Sequence, residues 1–227
     1  IEQQYDKLSS QGFRVLGVSY KRIRENKAHY TIDDESDMVF LGFAVFLDPP
    51  KETAKESLKE LAKSNIELKI ITGDSELVTE TVCKQLGFEI RGVVLGYEIA
   101  QMHDDALSRV VENVNIFARV NPAQKNRIIN ILKSNRHVVG FLGDGINDSP
   151  SLKVSDVSIS VDNAVDVAKE SADLILLRKD LTVLNEGVLE GRRTFGNTMK
   201  YINMGTSSNF GNMFSVAGAS LFLPFLP

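Results

Sequence analysis

Val138-Val139-Gly140-Phe141-Leu142-Gly143-Asp144-Gly145-Ile146-Asn147-Asp148-Ser149-Pro150 reads as a buried apolar strand that ends in a glycine-flanked carboxylate pair. Glycines at 143 and 145 let the backbone turn sharply and approach a ligand closely. Asp144 and Asp148 are therefore expected at the carboxyl end of a strand, the edge of an open α/β sheet where ligands bind. Hard carboxylate oxygens there suit Mg²⁺, usually in company with phosphate. An isolated Asp-Gly would be only a turn. The complete Gly-Asp-Gly-Ile-Asn-Asp after a strand points to a site.

Working outward, strand-like and helical patterns alternate. Phe13–Tyr20 alternates like a strand, and Val39–Leu47 is a continuous apolar run that Asp48-Pro49-Pro50 terminates. Segments 51–64, 75–86, 104–113 and 122–134 read as helices, the second closed by Gly87 and the last opened by Pro122. Segments 67–72, 93–95, 115–118, 137–142, 157–161 and 174–177 read as strands. Such alternation implies βαβ units and a parallel sheet with helices on both faces. Residues 181–202 read as one long helix.

Composition narrows the function classes. The 227 residues are 43% hydrophobic and 25% charged, a globular balance that argues against disorder. A net charge of −4 gives no basic footprint for nucleic acid. Cys83 is the only cysteine, so no intrachain disulfide forms and a reducing compartment is expected. His29, His103 and His137 are scattered and suggest no zinc site. From Tyr201 to Pro227 there is no charged residue, and Arg192, Arg193 and Lys200 precede the stretch. The length from 204 onward suits the start of a bilayer span with its basic flank in the cytoplasm.

Two further motifs could handle phosphate. Ile70-Ile71-Thr72-Gly73-Asp74-Ser75 is a second strand ending in a hydroxyl, a glycine and a carboxylate. A hydroxyl and backbone amides at a helix start can hold a phosphoryl oxygen, although the same residues also make a good helix cap. Phe117-Ala118-Arg119-Val120-Asn121-Pro122-Ala123-Gln124-Lys125 sets two cations across a helix start. A lysine there can clamp a phosphoryl group.

A strand-end Thr, then a helix-borne Lys, then a strand-end Gly-Asp-Gly-x-Asn-Asp resembles the haloacid dehalogenase superfamily. Within it, Phe46-Leu47-Asp48-Pro49-Pro50-Lys51, Thr72-Gly73-Asp74, Ala118-Arg119-Val120-Asn121-Pro122 and Gly143–Asp148 resemble P-type cation-transporting ATPases. Phe46–Lys51, Thr72–Val78, Ser207-Ser208-Asn209-Phe210-Gly211-Asn212 and the ending Phe222–Pro227 resemble the bacterial magnesium-transporting subgroup. Calcium pumps of the class tend to carry Glu where this chain has Asn212.

The resemblance implies a dehalogenase-like Rossmannoid parallel sheet followed by a stalk helix that enters the membrane. It implies ATP and Mg²⁺ as cofactors and a catalytic set of Thr72, Gly73, Lys125, Asp144, Asn147 and Asp148. Asp144 would bind Mg²⁺, and Asp148 would hold the metal's waters or the loop. Arg14, Asp74 and Arg119 would face the nucleotide. Asn209 and Asn212, three apart on one helical face, would serve ion selection. The implied boundaries are 1–45 for the end of a nucleotide-binding domain with its hinge strand and 46–180 for the phosphorylation domain. The stalk helix would be 181–203 and the start of a transmembrane helix 204–227.

The family's phosphorylated Asp-Lys-Thr-Gly-Thr and its Thr-Gly-Glu dephosphorylation motif do not occur in these residues. The expectation is a fragment that cannot complete a cycle alone, with the remainder of the same polypeptide as its partner in a cell membrane. The central nucleophile strand would then be missing. Strands 67–71 and 138–142 should flank a gap of about two strand spacings, ~10 Å, or collapse into direct pairing. A calcium or other cation pump, a soluble phosphatase of the superfamily and an inactive truncated module are the alternative readings.

Overall fold

The computed structural model describes residues 1–23, 29–47, 49–178 and 180–222. Asp48 of the Asp-Pro-Pro junction and residues 223–227 of the apolar ending lie outside the described residues. The chain falls into two compact units that divide at Leu181/Thr182.

The first unit opens with α1 (Glu2–Ser9), β1 (Phe13–Tyr20) and β2 (Val39–Leu47). The two strands form an antiparallel ribbon in which Phe13 faces Leu47 and Tyr20 faces Val39. After α2 (Ala54–Lys63) come β3 (Ile70–Ile71), α3 (Glu76–Leu86), β4 (Val93–Leu95), α4 (Gly96–Gln101), α5 (Asp104–Asn113), β5 (Ile116–Ala118) and α6 (Pro122–Ser134). The chain continues through β6 (Gly140–Leu142), α7 (Ser149–Val154), β7 (Val157–Val161), α8 (Asp166–Glu170) and β8 (Leu174–Leu176).

Local chemistry explains several boundaries. Ser75 accepts a hydrogen bond from the Val78 amide and opens α3, and Gly87 ends it in the left-handed conformation. Asn121 and Gln124 cap α6 reciprocally, with Pro122 in its first turn. Short α4 was not legible as a helix in the sequence. The Glu98 carboxylate that accepts from the Leu95 amide holds its start.

The parallel strands divide into two three-stranded sheets, β3-β5-β4 and β6-β7-β8. β3 and β6 are both edge strands, and they do not pair with each other. Direct collapse of the two strands is therefore not what the chain does. The main core lies on the first sheet, where Val94 and Phe117 pack with Leu107, Val111, Ile128 and Leu132 of α5 and α6. Ile71 at the end of β3 and Val139 just before β6 both pack against that core.

The buried-strand reading of 138–142 needs correction. Val138 is 83% exposed and Leu142 42%, whereas Phe141 is 9% exposed. Among the described residues β6 has a ladder on one side only, so its apolar residues lack a cover that a second neighbour would give. The apolar run of β2 is likewise open, with Leu41 and Leu47 at 71% and 63% exposure. Cys83 is buried, and that burial, followed by the charge of Glu80, pushes its thiol up to about 11.

Two carboxylates start the strands of the second sheet. Asp156 accepts from the Val139 amide at 2.9 Å and pairs with Lys133 at 3.0 Å. Asp173 accepts from the amide and hydroxyl of Ser158 at 2.9 and 2.7 Å. Asp156 is held below its ordinary 3.8 by the Val139 amide first and then by Lys133. Asp173 is lowered from 3.8 by the amide and then the hydroxyl of Ser158. A carboxyl lowered by folding stabilises the fold above its unfolded pKa and loses that contribution as pH falls through the folded value. Melting temperature should be level above about pH 5 and decline below it. Asp156→Asn and Asp173→Asn should flatten the decline. An undiminished acid slope in the double variant would remove these groups from the account.

The second unit is built on α9 (Leu181–Phe222), a single helix of 42 residues. Among the described residues no helix is long and apolar enough to cross a membrane. The expected span from residue 204 is therefore not made by 204–222 alone. Ser207, Ser208, Asn209 and Asn212 dilute its apolar character.

Candidate functional site

Three loops leave the ends of β3, β5 and β6. The first is tied back into its own strand. The Thr72 amide continues the ladder to Phe117 at 2.9 Å, and the Thr72 hydroxyl accepts from the Asp74 amide at 3.0 Å. The same hydroxyl donates to the Asp74 carboxylate at 3.2 Å. A side chain on Gly73 would meet only the Val120 carbonyl at 3.6 Å, an ordinary contact. The exposed backbone at Gly73 thus stays open to a ligand.

The second loop is stitched to the first. The Val120 amide donates to the Thr72 carbonyl at 3.1 Å, and the Arg119 amide donates to the Asp74 carbonyl at 2.9 Å. Arg119 sits at φ +53°, a left-handed conformation that non-glycine residues adopt seldom. Its guanidinium turns to Glu76, with Nε and Nη2 at 2.6 and 3.2 Å from the two carboxylate oxygens. Partial burial works to raise the Glu76 carboxyl, but the hydrogen bond and charge of Arg119 and a backbone amide hold it below its ordinary value. The Glu76 hydrogen bond in turn raises Arg119, against a smaller effect of burial.

The third loop is the glycine-flanked carboxylate pair. The Gly143 amide donates to Ile159, and Ser160 donates to the Gly143 carbonyl at 2.9 Å. A Cβ on Gly143 would stand 2.6 Å from the Cβ of Asp148, so glycine is required for Asp148 to fold back over the strand end. Asp148 then accepts from the Gly145 amide through one oxygen at 3.2 Å and from Lys125 Nζ through the other at 2.8 Å. Both side chains of this pair are 14% exposed. A largely buried pair of this kind is held by geometry and by its further hydrogen bonds more than by net Coulomb gain.

The Lys125–Asp148 pair carries a topological consequence. Lys125 lies in the first turn of the helix after β5, and Asp148 lies after β6. Their contact brings the carboxyl ends of the two sheets together although the sheets do not pair. Ser151 supports it by donating to Asn126 at 2.6 Å, which locks α7 on α6.

Asp144 is exposed. It borders a cavity of about 340 Å³ together with Leu142, Gly143, Pro50, Thr53 and Asp180. The lining of that cavity does not include Thr72 or Lys125. Asn147 is exposed on the same turn. Arg14 reaches Asp74 at 4.0 Å, both side chains being more than half exposed. Asn209 and Asn212 lie exposed in α9.

The structure thus joins Thr72 to Asp74 and to the Arg119–Val120 turn, joins Arg14 to Asp74, and joins Lys125 to Asp148. Glu76, Gly96 and Gln124 were given no role of their own in the sequence reading. Gln124 accepts from the Asn121 amide at 2.9 Å and donates to the Gly96 carbonyl at 2.6 Å. Its position three residues after Asn121 was a legible capping signal. Glu76 carries no sequence signal, since a first-turn Glu is ordinary in any helix.

Among the described residues no group of three or more His, Cys, Asp or Glu could hold a metal. The donor set of the third loop is Asp144, with Asp148 already engaged on both oxygens. One or two carboxylates fit an ion that keeps most of its waters and takes its remaining ligands from phosphate, which is the habit of Mg²⁺.

A family model of haloacid dehalogenase-like hydrolases matches residues 4–156. Over all 227 residues the chain is 52% identical to a magnesium-transporting P-type ATPase 1 of Escherichia coli K12, covering 25% of that protein. It is 48% identical over 221 residues to another magnesium-transporting P-type ATPase 1 from Salmonella typhimurium, covering 24% of it. It is 30% identical over 220 residues to calcium-transporting ATPase 1 of Lactococcus lactis, covering 25% of it. The chain spans about a quarter of the length of these relatives. The matched residues include all three loops, and the chain belongs to the haloacid dehalogenase-like hydrolases.

Proposed function

We propose that the chain works as part of an ATP-driven cation transporter of the cell membrane, with Mg²⁺ as the cargo and a phosphoaspartate on another part of the polypeptide. The observation that carries this reading is the Lys125–Asp148 contact at 2.8 Å beside Asp144, where the carboxyl ends of the two sheets meet. Lys125 has three donors and spends one on Asp148, so two remain for phosphoryl oxygens. Thr72 offers its hydroxyl and Gly73 its open backbone to the same group. Asp144 would hold Mg²⁺, whose contribution when bound is to neutralise the charge of the transferring phosphoryl group. Asp148 would set the loop and reach the metal through water. Asn147, exposed on the same turn, completes that catalytic set. Arg14, Asp74 and Arg119 would address the nucleotide.

In this reading residues 1–45 end the nucleotide-binding domain and supply its hinge strand, and residues 46–180 form the phosphorylation domain. Residues 181–203 are the stalk, and residues 204–227 begin a membrane helix. Arg192, Arg193 and Lys200 suit the cytoplasmic side. The identity to magnesium transporters over the whole chain favours Mg²⁺ over Ca²⁺ as cargo. Asn209 and Asn212 would present amide oxygens without a carboxylate, which suits weak holding of a hard, partly hydrated ion.

The test is the full-length protein in lipid vesicles, with ATP outside and a Mg²⁺- or Ca²⁺-sensitive dye inside. ATP-dependent Mg²⁺ movement is expected. Asn209→Ala and Asn212→Ala should alter the cation response more than the KM for ATP. Movement of Ca²⁺ alone would change the cargo, and absence of ATP hydrolysis would sink the pump reading.

A further inference from the structure

Arg119 has an unusual combination of features. Its backbone is fixed at φ +53°, where glycine or asparagine would be the ordinary occupant. Its amide is tied to Asp74, and its carbonyl would stand 2.2 Å from any Cβ placed on Gly96. The main chain therefore cannot move far, and only the side chain can choose a direction. That direction is taken by Glu76. The first residue of α3 holds Nε and Nη2 in a two-point grip while its own side chain is 24% exposed and that of Arg119 is 48% exposed.

Stability alone does not account for the arrangement. Ion pairs as open as this one contribute little to folding. A left-handed position is better served by a residue without a large side chain. The donor count gives a different account. A guanidinium has five N–H groups in a rigid fork. Glu76 occupies the Nε–H and one Nη2–H. Three donors remain on the far side of the fork, enough for a two-point contact to a phosphate oxygen pair.

We propose that Glu76 is a positioning residue, which grips one edge of the Arg119 guanidinium and thereby orients its remaining donors toward a phosphate of the bound nucleotide. The inference rests on the nucleotide role given to Arg119 above. It adds a link between the Thr72–Ser75 loop and the Arg119 turn. A shift of either loop moves the guanidinium, so phosphate contact and nucleotide contact become coupled through one side chain.

The test uses the full-length protein, with ATP binding followed by calorimetry and steady-state ATPase kinetics. Wild type is compared with Glu76→Gln, Arg119→Gln, the double variant and Glu76→Asp, each checked for an unchanged melting temperature. Glu76→Gln should weaken ATP binding on the order of tenfold, by analogy with the loss of partners that orient metal ligands. KM should rise by more than kcat falls. The double variant should bind no worse than Arg119→Gln, and Glu76→Asp should recover part of the loss. Wild-type affinity in Glu76→Gln would overturn the proposal. So would the same fold-loss in the Arg119→Gln background, because Glu76 would then act on its own. If Glu76→Gln fails to fold, Glu76→Asp decides, since wild-type affinity with a shortened arm also overturns the role. A wild-type protein that does not bind ATP refutes the nucleotide reading itself, a result distinct from any of these.

Discussion

Exchanging Asp144 for Asn is expected to lower phosphoenzyme formation from ATP in the full-length protein by roughly 2–4 kcal/mol of transition-state stabilisation, about one and a half to three orders of magnitude in rate. Asn keeps the shape of the side chain and the backbone contact in which the Asp144 carbonyl accepts from the Val165 amide at 3.2 Å. It removes a full negative charge at the mouth of the cavity. The loop itself is set by other groups, namely Gly143 under Asp148 and Asp148 between Lys125 and the Gly145 amide. The melting temperature should therefore move little while phosphorylation collapses. Raising Mg²⁺ should recover part of the rate if Asp144 acts through the metal. Near-normal phosphorylation of Asp144→Asn at low Mg²⁺ would show that the carboxylate has another use. The equivalent loss at Asp148→Asn should come with a lower melting temperature, because Asp148 pairs with a Lys125 that is itself mostly buried.

Much of the architecture could be read from local chemistry. β1, β2, β4, α5, α6 and β7 run over the residues that periodicity, caps and turns assign to them. Ser75 and Gly87 bound α3 because a hydroxyl cap and a left-handed glycine are strong signals that act within a few residues. The shortened strands have a different cause. Segment 67–72 keeps only Ile70–Ile71 as β3, and 137–142 keeps only Gly140–Leu142 as β6. A strand extends only as far as it has a partner, and each of these has one neighbour. Apolar pattern marks a segment that wants two neighbours, and it does not say whether both are present. The same reasoning applies to β2, whose apolar run is open to solvent in a two-stranded ribbon. At the site, the three motifs were legible one by one. Their pairing was not. No spacing rule says that Lys125 meets Asp148 or that Arg119 turns to Glu76, because those contacts depend on how α6 and α3 lie across the sheets.

Gly96 is where that geometry is most easily broken. It begins α4 directly after β4 and lies under the Arg119 turn. A Cβ there would be 2.2 Å from the Arg119 carbonyl oxygen and 2.8 Å from Gln124 Oε1. The first of these is backbone, held by the Arg119 and Val120 amides on one side and by the α6 cap on the other, so no rotamer change relieves it. Gly96→Ala should destabilise the first unit by about 3 kcal/mol, the upper part of the range for inserting a methyl into a packed site. It should also loosen the Gln124 bridge to the Gly96 carbonyl and with it the start of the helix that bears Lys125. Gly17→Ala is the control. Its added Cβ would lie 3.7 Å from a Phe40 ring carbon, an ordinary contact in a strand. Removing a glycine from a strand interior should there be neutral or stabilising by about 0.5 kcal/mol. Urea melts of the two variants against the parent chain decide the matter. Equal midpoints for Gly96→Ala and the parent would mean that the Arg119 turn yields easily, and a yielding turn could not hold Arg119 in register with Glu76.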